Sequence, residues 1–370
     1  MSDNNEIQAR SILQEMTPYT PGKPIWEVQR ELGLDKVIKL ASNENPLGPS
    51  PKAIEAIAKV LPELHRYPDA DASKLKQVIA AAYDVDMKQL IVTNGGDELI
   101  TLVSEAFIDA GDEVVVPVPS FSEYRFAGLL MGANIRSVPL NLDFTYDIEA
   151  ILRAVTARTK IVYLCSPNNP TGTILTRKEL QQILDNLPKH VLVVLDTAYS
   201  HFTTGNEYTD GLEFVRAGFP LLILQTFSKI YGLAGIRVGF GIAPAGIIQS
   251  INQVKEPFNV NTLAQVAAIA AVGDIDHVRS TQLLVVEERE KLYAALRELG
   301  LDYTESMSNF ILVELGTEAK SQYERLMAKG VIVRYGQIWD LPKHIRVSIG
   351  LPEENARFIE VLREIAGKSL

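Results

Sequence analysis

Apolar residues follow two alternating patterns along most of the chain. Nearly continuous apolar runs occupy residues 90–93, 113–118, 135–140, 160–165, 191–195, 221–225 and 238–242. Such runs predict strands covered on both faces, because a strand with one wet face would alternate apolar and polar side chains. Between them apolar positions return every three or four residues, the spacing that gives a helix one apolar stripe. Strand and helix therefore alternate, which predicts an α/β fold: a mostly parallel seven-stranded sheet covered by helices. In such sheets ligands bind beyond the C-terminal ends of the strands.

The last third changes character. A helical pattern over residues 263–299 is followed by β-rich runs at 310–314, 331–334 and 345–349, which predict a smaller α+β domain. The stretch before Ala53 is irregular and rich in Pro, Gly and Asn, and reads as an arm that packs on the body and joins the small domain. The expected division is residues 1–52 as arm and part of the small domain, 53–260 as the large domain, and 261–370 as a long connecting helix with the C-terminal small domain. No internal repeat or low-complexity tract interrupts it.

Composition narrows the function classes. Of 370 residues, 46% are hydrophobic and 22% charged, as expected for a chain folded throughout. The net charge of −10 is spread without long like-charge blocks, which argues against a nucleic-acid partner. Cys165, the one cysteine, ends an apolar run and reads as a buried thiol in a reducing compartment. The start, Met1-Ser2-Asp3-Asn4-Asn5-Glu6, lacks the pattern of a signal peptide, and no run reaches membrane-spanning length, so the cytoplasm is expected. The five histidines are scattered without ligand spacing, so no metal is expected, and no Gly-x-Ser-x-Gly elbow is present.

The candidate chemistry centres on Lys229, in Gln225-Thr226-Phe227-Ser228-Lys229. A lysine after a strand is ordinarily a solvated charge. Here a hydroxyl precedes it, Arg237 follows eight residues on, and a Gly-bearing turn lies between. An amine nucleophile beside phosphate-binding groups points to an aldehyde cofactor that carries phosphate. Asp196 ends another buried run and is followed by Tyr199; a lone Asp there would usually be a cap. Thr93-Asn94-Gly95-Gly96-Asp97 joins a strand to a helical pattern, so its amides would open a helix towards the site, as phosphate-binding turns do.

Together, Ser228-Lys229 through Arg237-Val238-Gly239, Asn169 before Pro170-Thr171-Gly172, Asp196 and Tyr199 resemble the pyridoxal-phosphate-dependent aminotransferases of the aspartate-aminotransferase fold type (fold type I), over nearly the whole chain. The resemblance implies a pyridoxal 5'-phosphate Schiff base on Lys229, which would also shuttle the proton at the substrate α-carbon. It assigns Asp196 to the pyridine nitrogen, Asn169 and Tyr199 to the ring 3'-oxygen, and Ser228, Arg237, Gly96 and Asp97 to the phosphate. Asp97 would act through its main chain, with its carboxylate pointing away. Phe121 would stack on the ring in place of a common tyrosine.

Tyr67, in His65-Arg66-Tyr67-Pro68, resembles a tyrosine that crosses the family's dimer interface, which implies a homodimer with shared sites. On the substrate side Arg346 matches the family's carboxylate arginine. Arg334, Tyr19 and the Asn43-Glu44-Asn45 lip resemble the histidinol-phosphate subgroup, in which the arginine and the tyrosine meet a substrate phosphate and Asn43 edges the pocket. Transfer of the amino group between histidinol phosphate and 2-oxoglutarate, in histidine biosynthesis, is the leading expectation. Aromatic amino-acid transamination and phosphothreonine decarboxylation remain as alternatives.

Overall fold

The computed structural model describes residues 7–14, 16 and 22–365. Its strands are β1 (Ile38–Lys39), β2 (Leu90–Thr93), β3 (Glu113–Val118), β4 (Asn134–Pro139), β5 (Thr159–Cys165), β6 (Leu192–Asp196), β7 (Leu221–Thr226), β8 (Gly239–Ile242), β9 (Phe310–Glu314), β10 (Val331–Ile332), β11 (Arg334–Tyr335) and β12 (His344–Ser348). Seven form one sheet in the order β2-β8-β7-β6-β5-β3-β4. Only β8 runs against its neighbours.

Burial explains the continuous apolar runs. Along β6, Val193 and Leu195 enter the core on one face of the sheet, whereas Leu192 and Val194 enter the core on the other. Each such side chain contributes roughly 1.5–3 kcal/mol of transfer free energy. The edge strand β4 buries only Val138 deeply and carries Arg136, which grips the buried Glu113 carboxylate through Nε at 2.6 Å and Nη2 at 2.8 Å. A charged, mostly exposed edge resists pairing with another sheet.

Three expectations need correction. The helical stretch over 263–299 is two helices, Thr262–Val272 and Ile275–Glu298. They break at Gly273-Asp274, where the Asp274 carboxylate accepts the Ser50 hydroxyl at 2.6 Å. The run 331–334 is two strands in different sheets: β10 pairs with β1 in parallel, and β11 pairs with β12 in the sheet β11-β12-β9. Apolar patterning cannot register that change of partner at Val333. The arm is also less irregular than expected, since Ile25–Leu32 is helical and ends on Gly33 at φ 65°, a conformation glycine adopts without strain. Among the described residues no helix is long and apolar enough to cross a membrane.

Candidate active site

The C-terminal ends of β2, β5, β6 and β7 and the start of β8 meet at one edge of the large sheet. A cavity of about 350 Å³ opens there, closed on one side by β11 and β12. It is lined by Asn43, Gly96, Asp97, Phe121, Asn169, Asp196, Tyr199, Ser228, Lys229, Arg237, Arg334 and Arg346, so the chain brings residues from widely separated stretches to one place. Tyr67 is not among them. It is 83% exposed and its ring stacks on Phe258 at 4.8 Å. Tyr19 lies outside the described residues.

One end of the cavity is built for an anion. The helix Gly96–Phe107 starts here, and its first N–H groups have no partner within the helix. Gly95 precedes it at φ 88°, and a Cβ there would stand 2.7 Å from Arg237 Nη2. Gly239 lets the two loops meet, since its Cβ would lie 2.9 Å from the Gly95 carbonyl carbon. Arg237 donates through Nη1 to the Ala234 carbonyl at 3.0 Å and to Ser228 Oγ at 3.4 Å. Its Nη2 donates to Asp97 Oδ2 at 3.1 Å. The Asp97 carboxylate therefore does not point away as expected. It lines the cavity and holds the guanidinium, for which ion pairing outweighs leaving the arginine charge uncompensated.

At the other end Asp196 is 6% exposed. Its Oδ2 accepts the Tyr124 hydroxyl at 2.7 Å and its Oδ1 the Ala198 N–H at 2.9 Å. Burial pushes this carboxyl up to about 6, and the Tyr124 and Ala198 hydrogen bonds resist the rise. Sequence reading missed Tyr124. Its one signal is a polar-tipped aromatic three residues after Phe121, on the same helical face.

Between the two ends Lys229 donates to the Ser42 carbonyl at 3.2 Å and sits 5.6 Å from the Tyr199 ring centre. Burial first, then the Arg346 charge, lower its pKa to about 8. The Tyr199 hydroxyl accepts from Asn43 Nδ2 at 3.0 Å, which orients it while burial keeps it protonated. Asn43 is itself fixed: at φ 55° it receives the Asn309 amide on its carbonyl and exchanges bonds with Ser348 Oγ.

Arg346 donates to Asn169 Oδ1 at 2.5 Å and to the Ala41 carbonyl at 2.7 Å. Its guanidinium lies over the rings of Trp339, at 5.0 Å, and Phe310, at 5.2 Å. Arg334 faces it as its register partner across β11 and β12. The set suits an aldehyde with a phosphate at one end and a protonatable ring nitrogen at the other: a cradle of amides, hydroxyls and guanidinium, then an amine, then a buried carboxylate. A second anion would meet the arginine pair.

Residues 35–362 match the model of the family described as aminotransferase class I and II. The histidinol-phosphate aminotransferase of Moorella thermoacetica is 47% identical over 359 residues, covering 97% of this chain and 93% of that protein. The histidinol-phosphate aminotransferase of Akkermansia muciniphila is 44% identical, covering 97% of this chain and 99% of that protein. Among solved structures, the histidinol-phosphate aminotransferase of Sinorhizobium meliloti in complex with pyridoxal-5'-phosphate superposes with a TM-score of 0.90 at 25% identity, covering 99% of each chain.

Proposed function

The chain belongs to the class I and II aminotransferases, and from that premise we propose that it moves an amino group between L-histidinol phosphate and 2-oxoglutarate, giving imidazole-acetol phosphate and L-glutamate. It is a pyridoxal-phosphate-dependent transaminase. When bound, pyridoxal phosphate supplies an aldehyde that captures amines and a pyridine ring that accepts the electron pair released at the substrate α-carbon. Lys229 Nζ would hold the aldehyde carbon until the incoming substrate amine displaces it, and the freed lysine amine would then move the proton between the α-carbon and that carbon. Its lowered pKa makes the neutral, proton-accepting form accessible near neutral pH. Asp196, oriented by Tyr124 and Ala198, would hold the proton of the ring nitrogen. The Tyr199 hydroxyl and the Asn169 amide would address the ring oxygen, and Phe121 would cover the ring face. Gly96, Ser228 and Arg237 would bind the phosphate, with Asp97 holding the arginine.

The observation that carries the substrate reading is the arginine pair. Arg334 and Arg346 are opposed across two strands and line the same cavity as Lys229. A carboxylate needs one guanidinium fork, whereas a phosphate dianion gains from two. We read the enzyme as a cytoplasmic homodimer with shared sites, in which the exposed Tyr67 reaches the neighbouring subunit's phosphate cradle. The large domain would span 53–260, and 261–370 with the arm would complete the small one.

A donor panel tests the proposal. The holoenzyme should turn over histidinol phosphate with a kcat/KM well above that for phenylalanine, tyrosine or phosphothreonine. Preference for the aromatic acids, or carbon dioxide release from phosphothreonine, would reject it.

A further inference from the structure

Among the described residues, every charged group on the cavity wall except one has a task in this scheme. Asp196, Lys229 and Arg237 serve the cofactor, Asp97 holds Arg237, and Arg334 with Arg346 receive the substrate anion. The remaining group is Glu123. It is the second residue of the helix Ser122–Leu130, whose N-cap is Phe121, and both Phe121 and Glu123 line the cavity. Glu123 therefore stands on the wall that carries the stacking ring.

The surroundings make an ionised Glu123 costly. It is half-buried, and burial first, then the Asp97 charge, raise its pKa. The protein offers it a Ser122 hydroxyl at 3.4 Å, a long bond, and no ion pair among the described residues. A carboxylate so placed gains from an N–H or cationic partner supplied by a ligand.

Histidinol phosphate has such a group left over. Its amine goes to the cofactor and its phosphate to the arginines, while its imidazole N–H still needs an acceptor. We propose that Glu123 is a specificity-determining residue that accepts this ring N–H; the inference rests on histidinol phosphate being the donor. The same carboxylate works against a phenyl side chain, which would desolvate it and return no hydrogen bond. It also repels the distal carboxylate of glutamate in the other half-reaction. Removing its charge therefore acts with opposite sign on the two natural donors, which a helix-stabilising role at this position would not do.

The test compares wild-type and Glu123→Gln holoenzymes, with Glu123→Ala as a second variant, in single-turnover assays with histidinol phosphate, glutamate and phenylalanine. Both variants should lose about 10- to 100-fold in kcat/KM for histidinol phosphate, the effect of one hydrogen bond to a charged group. They should hold or gain with glutamate and keep the visible spectrum of the cofactor. Equal losses with all three donors, a changed spectrum, or an unchanged histidinol-phosphate rate would each overturn the assignment alone. A wild type inert towards histidinol phosphate would sink the underlying reading and this assignment with it.

Discussion

Replacing Tyr124 by Phe removes one hydroxyl and leaves the ring packing against Tyr163, at 4.8 Å, in place. What is lost is one of the two hydrogen bonds on the buried Asp196 carboxylate. Burial keeps the Tyr124 hydroxyl protonated, so in the wild type it donates at every working pH. A hydrogen bond to a charged group is worth about 1.5–3 kcal/mol, and one pKa unit is about 1.4 kcal/mol. The Asp196 pKa should therefore climb by about 1–2 units from its present value of about 6. The sign of the stability effect follows. A carboxyl whose folded pKa exceeds its unfolded one binds more protons when folded, so stability falls as pH rises between the two values. The penalty is absent in acid and complete above the folded pKa. In the variant this interval extends further into the alkaline range. Cofactor-free Tyr124→Phe should thus be destabilised relative to wild type by about 1.5–3 kcal/mol more at pH 8.5 than at pH 5. Urea unfolding of both proteins at the two pH values measures this directly. A loss of the same size at both would refute the reasoning, because it would mean that Tyr124 supports packing and not the carboxylate charge.

Lys229 should bind pyridoxal phosphate through its neutral amine, so reconstitution of the cofactor-free chain should quicken with rising pH and level off above about 8. Stopped-flow absorbance follows it, and Lys229→Ala should show no borohydride-trapped cofactor. Arg334→Gln should raise KM for histidinol phosphate about 10- to 100-fold while leaving glutamate nearly unchanged, since only a phosphate engages both forks. Equal effects on both donors in steady-state assays would count against the arginine pair. If Tyr67 completes the neighbouring site, inactive Lys229→Ala and Tyr67→Ala subunits refolded together should recover about a quarter of the wild-type sites, because half the dimers would hold one intact site. No recovery would refute shared sites.

Much of the seven-stranded sheet was legible because burial on both faces writes itself into residue type. In β6 each of Leu192, Val193, Val194 and Leu195 meets a core on one side or the other, so the run is apolar without gaps. The same rule hides a change of partner. Val331 and Ile332 pair with the arm, Arg334 and Tyr335 with β12, yet the residues read as one strand. At the site, Lys229, Asp196 and Arg237 stood out as a set, since each alone is ordinary at the end of a strand, whereas a lysine with a hydroxyl before it, an arginine eight residues on and a Gly-bearing turn between them is not. Tyr124 did not, since its meaning depends on a carboxylate 72 positions away.

The least legible part is the short stretch 41–43. Its contribution is largely backbone: the Ala41 carbonyl takes Arg346 and the Ser42 carbonyl takes Lys229. A carbonyl carries no residue-type signature, so nothing in the sequence marks these two acceptors. Asn43 adds the one visible cue, an asparagine suited to positive φ, and its side chain joins Ser348 in the small sheet to Tyr199 at the end of the large one. Lys229 and Arg346, the cations proposed to meet the cofactor and the substrate anion, are thus both hydrogen-bonded to this one short stretch. The arm therefore helps the two sheets to set their separation. A substitution that shifts this stretch would disturb both half-reactions without touching a side chain that takes part in chemistry, and the arm is therefore as much a wall of the active site as the strands that frame it.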